Sequence, residues 1–222
     1  MWGLDFSEVG WIEIANATLD TLKMLGASAV FTFIIGLPLG IILYLAARSA
    51  NRKVHFVYSI LSIIVNILRS VPFIILIVAM IPITRQLVGV SMGVLGTIPP
   101  LVVGAAPFFA RLVETTLSEV DRGVIEAAEG MGASTGQIIL RVLLPEARPG
   151  LLAAMTITIV TLVSYTAMSG MVGGGGLGDL AIRYGYHRYE MEVMVISVFL
   201  MVILVQCLQM AGDHLVRRFT RK

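Results

Sequence analysis

Charge is what this chain has least of. Only 14% of its 222 residues are charged, while 57% are hydrophobic. An ordinary soluble domain carries about a quarter charged residues, so this composition excludes one. Cys207 is the only cysteine, which rules out an internal disulfide and a multi-thiolate metal centre. It lies inside an apolar run, where plain packing accounts for it. The three histidines, His55, His187 and His214, are scattered without metal-ligand spacing. Net charge is only +2, and no basic patch with interleaved aromatics marks a nucleic-acid surface. A basic leader is also missing. Asp5, Glu8, Glu13 and Asp20 occupy the opening residues, which is not the pattern of a secretory signal. Paired intramembrane acids and a credible nucleophile–base set are lacking too, so no enzyme is expected.

What is present is a series of long apolar runs. A bilayer core of ~30 Å takes about 20 residues in helix. Five segments qualify, at about 22–47, 57–83, 94–113, 151–171 and 193–211, the third interrupted by Pro99, Pro100 and Pro107. Lipid cannot hydrogen-bond a backbone, so these segments are predicted to be helices. Basic residues alternate between the connections. Arg48, Arg52 and Lys53, then Arg122, Arg141 and Arg148, then Arg217, Arg218, Arg221 and Lys222 fall to one side. Lys23, Arg85, Arg183 and Arg188 fall to the other. The positive-inside rule makes the first group cytoplasmic, the N-terminus external and the C-terminus internal. The expected organisation is an extracytoplasmic segment over 1–21, one membrane domain over 22–212 with a large loop at about 120–150, and a basic tail over 213–222. The leading residues Trp2, Phe6 and Trp11 leave two readings open, an interfacial segment and a loosely ordered tail. No tandem repeat is visible.

The large loop has its own local logic. Asp121 can start a short helix carrying Ile125, Glu126, Ala127, Ala128 and Met131. Gly132 permits the positive φ that ends it. Ser134 and Gln137 have capping-box spacing for a second helix with Ile138, Ile139, Val142 and Leu143. Pro145 and Pro149 are expected to stop that helix and reset the chain into the fourth span.

Two strings mislead. Gly132 to Gly136 reads G-x-S-x-G, but a hydrolase elbow follows a strand, whereas an alanine-rich helix is predicted here. Gly173 to Gly178 reads G-x-G-x-x-G, but it follows a membrane span, so it is expected to be an outer turn rather than a dinucleotide site.

Within the spans, Thr158, Thr161, Tyr165 and Met168 recur at i, i+3, i+7 and i+10 and share one helix face. Hydroxyls in lipid seek a protein neighbour or a wet cavity. The face reads as a translocation path with flexible Met168 as a plug, or as helix packing with the hydroxyls bonded to their own backbone. Arg69 lies inside the second span, where a charge must face protein or water. It can pair with carbonyls freed near Pro72 or with a substrate carboxylate. Arg111 and Glu114, at i and i+3, are expected to pair.

The run Glu126-Ala127-Ala128, Gly132 and Val142-Leu143-Leu144-Pro145 resembles the cytoplasmic coupling loop, or EAA motif, of ABC importer permeases, with Val142 where Ile is usual. Arg69-Ser70-Val71-Pro72-Phe73 and Ile81-Pro82 resemble the second span of the methionine-type permeases. Val103-Gly104-Ala105-Ala106-Pro107-Phe108 is similar to their third, and Ser164-Tyr165-Thr166-Ala167-Met168 with Gly173 to Gly178 to their fourth and its outer loop. The resemblance runs from about Leu22 to the C-terminus and leaves 1–20 unmatched. It implies an all-α integral membrane protein with the ABC type I importer permease fold, five transmembrane helices and a cytoplasmic coupling-helix loop. It implies ATPase coupling through Glu126, Ala127, Ala128, Glu129, Gly132, Leu144 and Pro145. It also implies a second permease copy, two cytoplasmic ATP-binding subunits, an extracytoplasmic methionine-binding protein and methionine as cargo. ATP would then be bound by the partner, leaving no cofactor in this chain. Another amino acid as cargo, or an ATP-independent channel or secondary transporter, are the alternatives.

Overall fold

The computed structural model describes residues 10–49 and 51–220. All regular structure among them is helical. The first helix, α1 (Trp11–Ala47), is 37 residues long. At 1.5 Å per residue it reaches ~55 Å, well beyond a bilayer core. It therefore begins earlier than the predicted Leu22. Trp11 opens it and is exposed, while Trp2 and Phe6 lie outside the described residues.

The scaffold is the crossing of α1 with α4 (Gly93–Ser118), the most extensive helix pair. Small residues make it possible. A Cβ on Gly40 would sit 2.6 Å from the Ala110 carbonyl oxygen and 2.6 Å from Val113, so only glycine lets the backbones approach this closely. One turn earlier Gly36 faces Phe109, whose ring meets Phe33 at 4.8 Å between centroids. Leu101, Ala105, Ala110, Val113 and Leu117 of α4 are wholly buried. Pro99, Pro100 and Pro107 do not interrupt α4, contrary to expectation. Each removes one ladder bond, and the packing of α1, α3 (Phe73–Val88) and α8 (Arg148–Ser169) around α4 keeps the backbone in place.

The second predicted span is divided. α2 (Arg52–Ser70) and α3 (Phe73–Val88) are separated by an extended Val71, at φ −75° and ψ 124°, and by Pro72. Proline clashes with a preceding helical residue, which drives Val71 out of the helix. Apolar side chains continue through the break, so hydropathy alone does not register it. The ends of the bundle show that α2 and α3 cross once between them. Gly93 N–H donates to the Gly173 carbonyl at 2.9 Å, so the start of α4 and the turn after α8 share one end. Tyr44 and Arg48 at the end of α1 meet the 120–150 loop at the other. Five helical stretches among the described residues, α1, α2, α4, Arg148–Val172 and Met191–Phe219, are long and apolar enough to cross a membrane, and α3 is shorter.

Pro145 and Pro149 also fail to stop the chain. Past the loop's bend come α6 (Thr135–Ile138), a π-helical turn (Ile139–Leu143), α7 (Leu144–Glu146) and α8 (Arg148–Ser169), which ends in a 3-10 turn (Gly170–Val172). Only Ala147 separates α7 from α8. Pro149 sits in the first turn of α8, where its missing N–H removes no helical bond, and Pro145 directly follows the π-helical turn. Next, α9 (Gly176–Leu180) and a π-helical turn (Ala181–Tyr186) fold back onto α1, α8 and α10 (Met191–Phe219). Leu177 N–H donates to Thr21 Oγ1 at 2.8 Å, pinning this return to α1.

Candidate functional site: a two-helix loop and a cavity at a helix break

Asp121 accepts from Gly123 N–H at 2.8 Å and starts α5 (Arg122–Gly130). The helix ends with Gly132 N–H on the Glu129 carbonyl, Ala133 N–H on the Ala128 carbonyl, and Gly132 at φ 78°. That is the left-handed close a glycine permits. Ser134 then caps α6 with both arms of a capping box, Ser134 N–H to Gln137 Oε1 at 2.8 Å and Gln137 N–H to Ser134 Oγ at 3.4 Å. The Ser134 hydroxyl is thus held in a helix cap, in a setting without the strand a hydrolase elbow needs.

Leu143 and Ala147 tie this loop to the core beside Tyr44, Val113 and Leu117. Ala128 is buried, while Glu126, Ala127 and Glu129 are exposed and Leu144 and Pro145 half-buried. A cavity of about 290 Å³ separates α5 and α6 from the end of α1, with Arg48, Arg122, Glu126 and Glu129 on its walls. Arg48 is held by the Tyr44 hydroxyl, its guanidinium 5.1 Å from the ring centre. Sequence reasoning missed Tyr44 and Arg48 as the loop's seat. It also missed the loop's apolar surface: Met131 is 82% exposed and Leu140 68%. Helical spacing gave no signal for this, since Met131 and Leu140 each stand three residues from the buried Ala128 and Leu143.

The four positions on the α8 face do not stay together. Thr158 is fully buried and donates to the Ala154 carbonyl at 2.8 Å. Thr161 is half-buried and donates to the Ile157 carbonyl at 2.9 Å. Met168 packs against the core built from α1, α3 and α4. Tyr165 stacks flat on Phe73, with centroids 4.3 Å apart and planes 2° from parallel. Beside them Ile157 and Ser164 are exposed on α8, as is Met171 in the 3-10 turn beyond it.

Tyr165 also borders a cavity of about 260 Å³ at the α2–α3 break, with Arg69, Phe73, Leu76, Gly104 and Phe108. At Gly104 a Cβ would stand 3.3 Å from Phe73 and 3.5 Å from Tyr165, so the missing side chain leaves room for the stacked rings. Arg69 does not bond the carbonyls near Pro72; its recorded contact is the Phe108 ring, 5.9 Å from the guanidinium carbon to the centroid. Nearer the loop end, Arg111 pairs with Glu114 at 2.6 Å as expected. Arg111 also donates to Ser62 at 2.8 Å and Asn66 at 3.0 Å, and Tyr58 donates to Glu114 at 3.2 Å. These three α2 partners were not singled out from the sequence, although their i, i+4, i+8 spacing forms a polar stripe. At the far end Gly173, Gly175 and Gly176 all have φ between 74° and 81° and form the turn into α9, a setting unlike a strand–helix dinucleotide loop.

A helical bundle whose fourth and eighth helices are joined by a capped two-helix loop has the ABC type I importer permease fold. Residues 12–221 match the family described as the binding-protein-dependent transport system inner membrane component, and the chain belongs to it. It is therefore a multi-pass component of an inner membrane. The D-methionine transport system permease protein MetI of Escherichia coli K12 is 51% identical over 215 residues, covering 96% of this chain and 97% of that protein. The methionine import system permease protein MetP of Bacillus subtilis 168 is 43% identical over 208 residues, covering 94% of each chain. A chain of the MetNI methionine ABC transporter, solved in an inward-facing conformation, is 50% identical and superposes with a TM-score of 0.92 over 98% of this chain and 100% of that one. An amino acid ABC transporter solved with histidines, 17% identical with a TM-score of 0.76 over 94% of each chain, shares the fold alone.

Proposed function

We infer that this chain is the membrane-spanning subunit of an ATP-driven methionine importer, carrying the L- and D-isomers across the inner membrane. The observation that carries this reading is identity of 43% to 51% with methionine permeases over nearly the whole chain. The functional unit contains a second copy of this chain, two cytoplasmic ATP-binding subunits and an extracytoplasmic methionine-binding protein. ATP binds the partner, and this chain performs no catalysis. The loop end of the bundle is cytoplasmic, which places the C-terminus inside and residues 1–21 outside. The positive-inside rule supports this, since Arg48, Arg52, Lys53, Arg122, Arg141 and Arg148 all belong to that end.

The ATPase contact comprises Glu126, Ala127, Ala128, Glu129, Gly132, Leu144 and Pro145. Exposed Met131 and Leu140 support it, because apolar side chains on a loop outside the membrane gain from a protein partner. Motion of the loop passes to α4 through Asp121. It passes to α8 through an almost uninterrupted helical path from Thr135. The loop–ATPase contact must differ in free energy between the inward- and outward-open states for this to drive transport. The path runs along α8 past Thr161, Tyr165 and Met168, with Thr158 holding the helix behind it.

The test is uptake of labelled methionine into proteoliposomes holding this chain, its ATPase and the binding protein, with other amino acids as competitors. ATP-dependent uptake blocked by methionine and close analogues is expected. Uptake of a different amino acid would move the cargo, and uptake without ATP in a preparation with an active ATPase would sink the importer reading.

A further inference from the structure

The cavity at the α2–α3 break has a composition that the scaffold does not explain. Gly104 and Phe108 lie at the middle of the 26-residue α4, so Arg69 opposite them stands at mid-height of the bundle, with its side chain exposed. Among the described residues Arg69 has neither an acid nor a hydrogen-bond acceptor; its neighbours are the Phe108 ring and the Tyr165 phenol. The nearby carboxylate of Glu114 is already shared between Arg111 and Tyr58. The carbonyl end of α2 favours a cation, but a helix end supplies only a partial charge. A guanidinium in such a place marks a wet path, a partner or a ligand. Beside it lie the stacked Phe73 and Tyr165 rings and Leu76.

We propose that this cavity is a transit site for a free α-amino acid, with its carboxylate on the Arg69 guanidinium and its apolar side chain against Phe73, Tyr165 and Leu76. The ligand class rests on the importer reading above. The planar guanidinium fork matches a carboxylate with two parallel hydrogen bonds. An aromatic wall suits a thioether, which makes favourable contacts with ring edges. The volume of about 260 Å³ falls below the ~300–1,000 Å³ of pockets for drug-sized ligands, which limits the occupant to a small molecule. The uncapped N-terminus of α3 opens at the same place and adds positive potential there.

The experiment uses the complete transporter in proteoliposomes. Cys207 is replaced by Ser, and a reporter cysteine is placed in the cavity wall by Leu68→Cys, or by Val71→Cys if the first preparation lacks binding-protein-stimulated ATP hydrolysis. A cationic, water-soluble thiosulfonate should modify the reporter. Methionine at ten times its dissociation constant should slow that modification about tenfold by mass action. Methioninamide, which lacks the carboxylate, should not. Adding Arg69→Gln should raise the methionine concentration that gives half-protection by about tenfold to a hundredfold, the range for a hydrogen bond to a charged group, and Arg69→Lys should reverse part of that rise. An unreactive reporter, equal protection by the amide, or protection indifferent to Arg69→Gln would each overturn the proposal. Failure of the importer reading is read separately, from uptake by the parent protein. If that assay assigns another amino acid, the same protection is measured with that amino acid and its amide.

Discussion

Glycine does opposite work in two regions of this molecule. In the α1–α4 crossing, Gly40 is needed for space: an added Cβ would meet the Ala110 carbonyl and Val113 at 2.6 Å. In the two-helix loop, Gly132 has nothing within 4 Å of an added Cβ and is needed instead for its φ of 78°. The crossing is crowded and its helices support one another, so it behaves as a rigid frame. The loop is mostly exposed and tied down through Leu143 and Ala147, so it behaves as an arm. An ATP-driven importer needs both, a frame that keeps its register and an arm that moves against it.

The sharpest way to break this contrast is Gly40→Leu. The side chain would press on backbone as well as on Val113, and overpacking of this kind costs roughly 3 kcal/mol or more. Thermal unfolding in detergent should show a large loss of stability, and parent-like stability would remove the claim of a tight crossing. Glu114→Ala comes next, because it leaves the Arg111 guanidinium without its carboxylate between α2 and α4. The pair is largely buried, with side-chain exposures of 21% and 10%, and breaking such a pair costs roughly 2–4 kcal/mol. Tyr58→Phe, which removes one neutral donor, should cost about 1 kcal/mol in the same melt.

In the arm the expected loss is functional. Gly132→Ala strains a left-handed residue by ~1–2 kcal/mol without a clash. ATP hydrolysis should continue while methionine uptake falls, and Gly132→Trp should deepen that uncoupling. Gly130→Ala is the control, since it too has free space around a Cβ but lies in the last turn of α5 without a positive φ. It should leave uptake intact and stabilise the helix by about 0.5–1 kcal/mol. If the two alanine variants behave alike, backbone conformation at Gly132 is not what coupling needs. The smallest effect belongs to Ser134→Ala, which removes the cap of α6 for about 1 kcal/mol or less. Faster hydrogen exchange confined to 133–138 is the expected sign.

The loop was legible in detail because everything that shapes it is local. Asp121, Gly132, Ser134 and Gln137 act on backbone groups within three residues, and they sit where the sequence placed them. The spans were legible because apolar length needs no knowledge of neighbours. Their interruptions were not. Val71-Pro72-Phe73 is apolar throughout, so a hydropathy count passes over a break that the steric rule for residues before proline contains. The opposite error came at Pro99, Pro100, Pro107, Pro145 and Pro149, read as breaks although packing, a first-turn position or the adjoining π-helical turn accommodates each. On α8 the periodicity grouped Thr158 with Thr161, Tyr165 and Met168, but a helical wheel does not say where one neighbour ends and open space begins.

By itself, the sequence determined that this chain enters a membrane, which stretches are helical enough to do so, and how the loop between α4 and α8 bends. Water, lipid and local sterics act on each residue where it stands, so these properties can be read residue by residue. Tertiary structure alone decided that Arg111 binds Ser62 and Asn66, and that Arg69, Phe73, Phe108 and Tyr165 surround one cavity. Those groups come from four helices, and the chain runs about a hundred residues from Ser62 to Tyr165. Which faces meet depends on the packing of the whole bundle, and no contiguous stretch of residues carries that information.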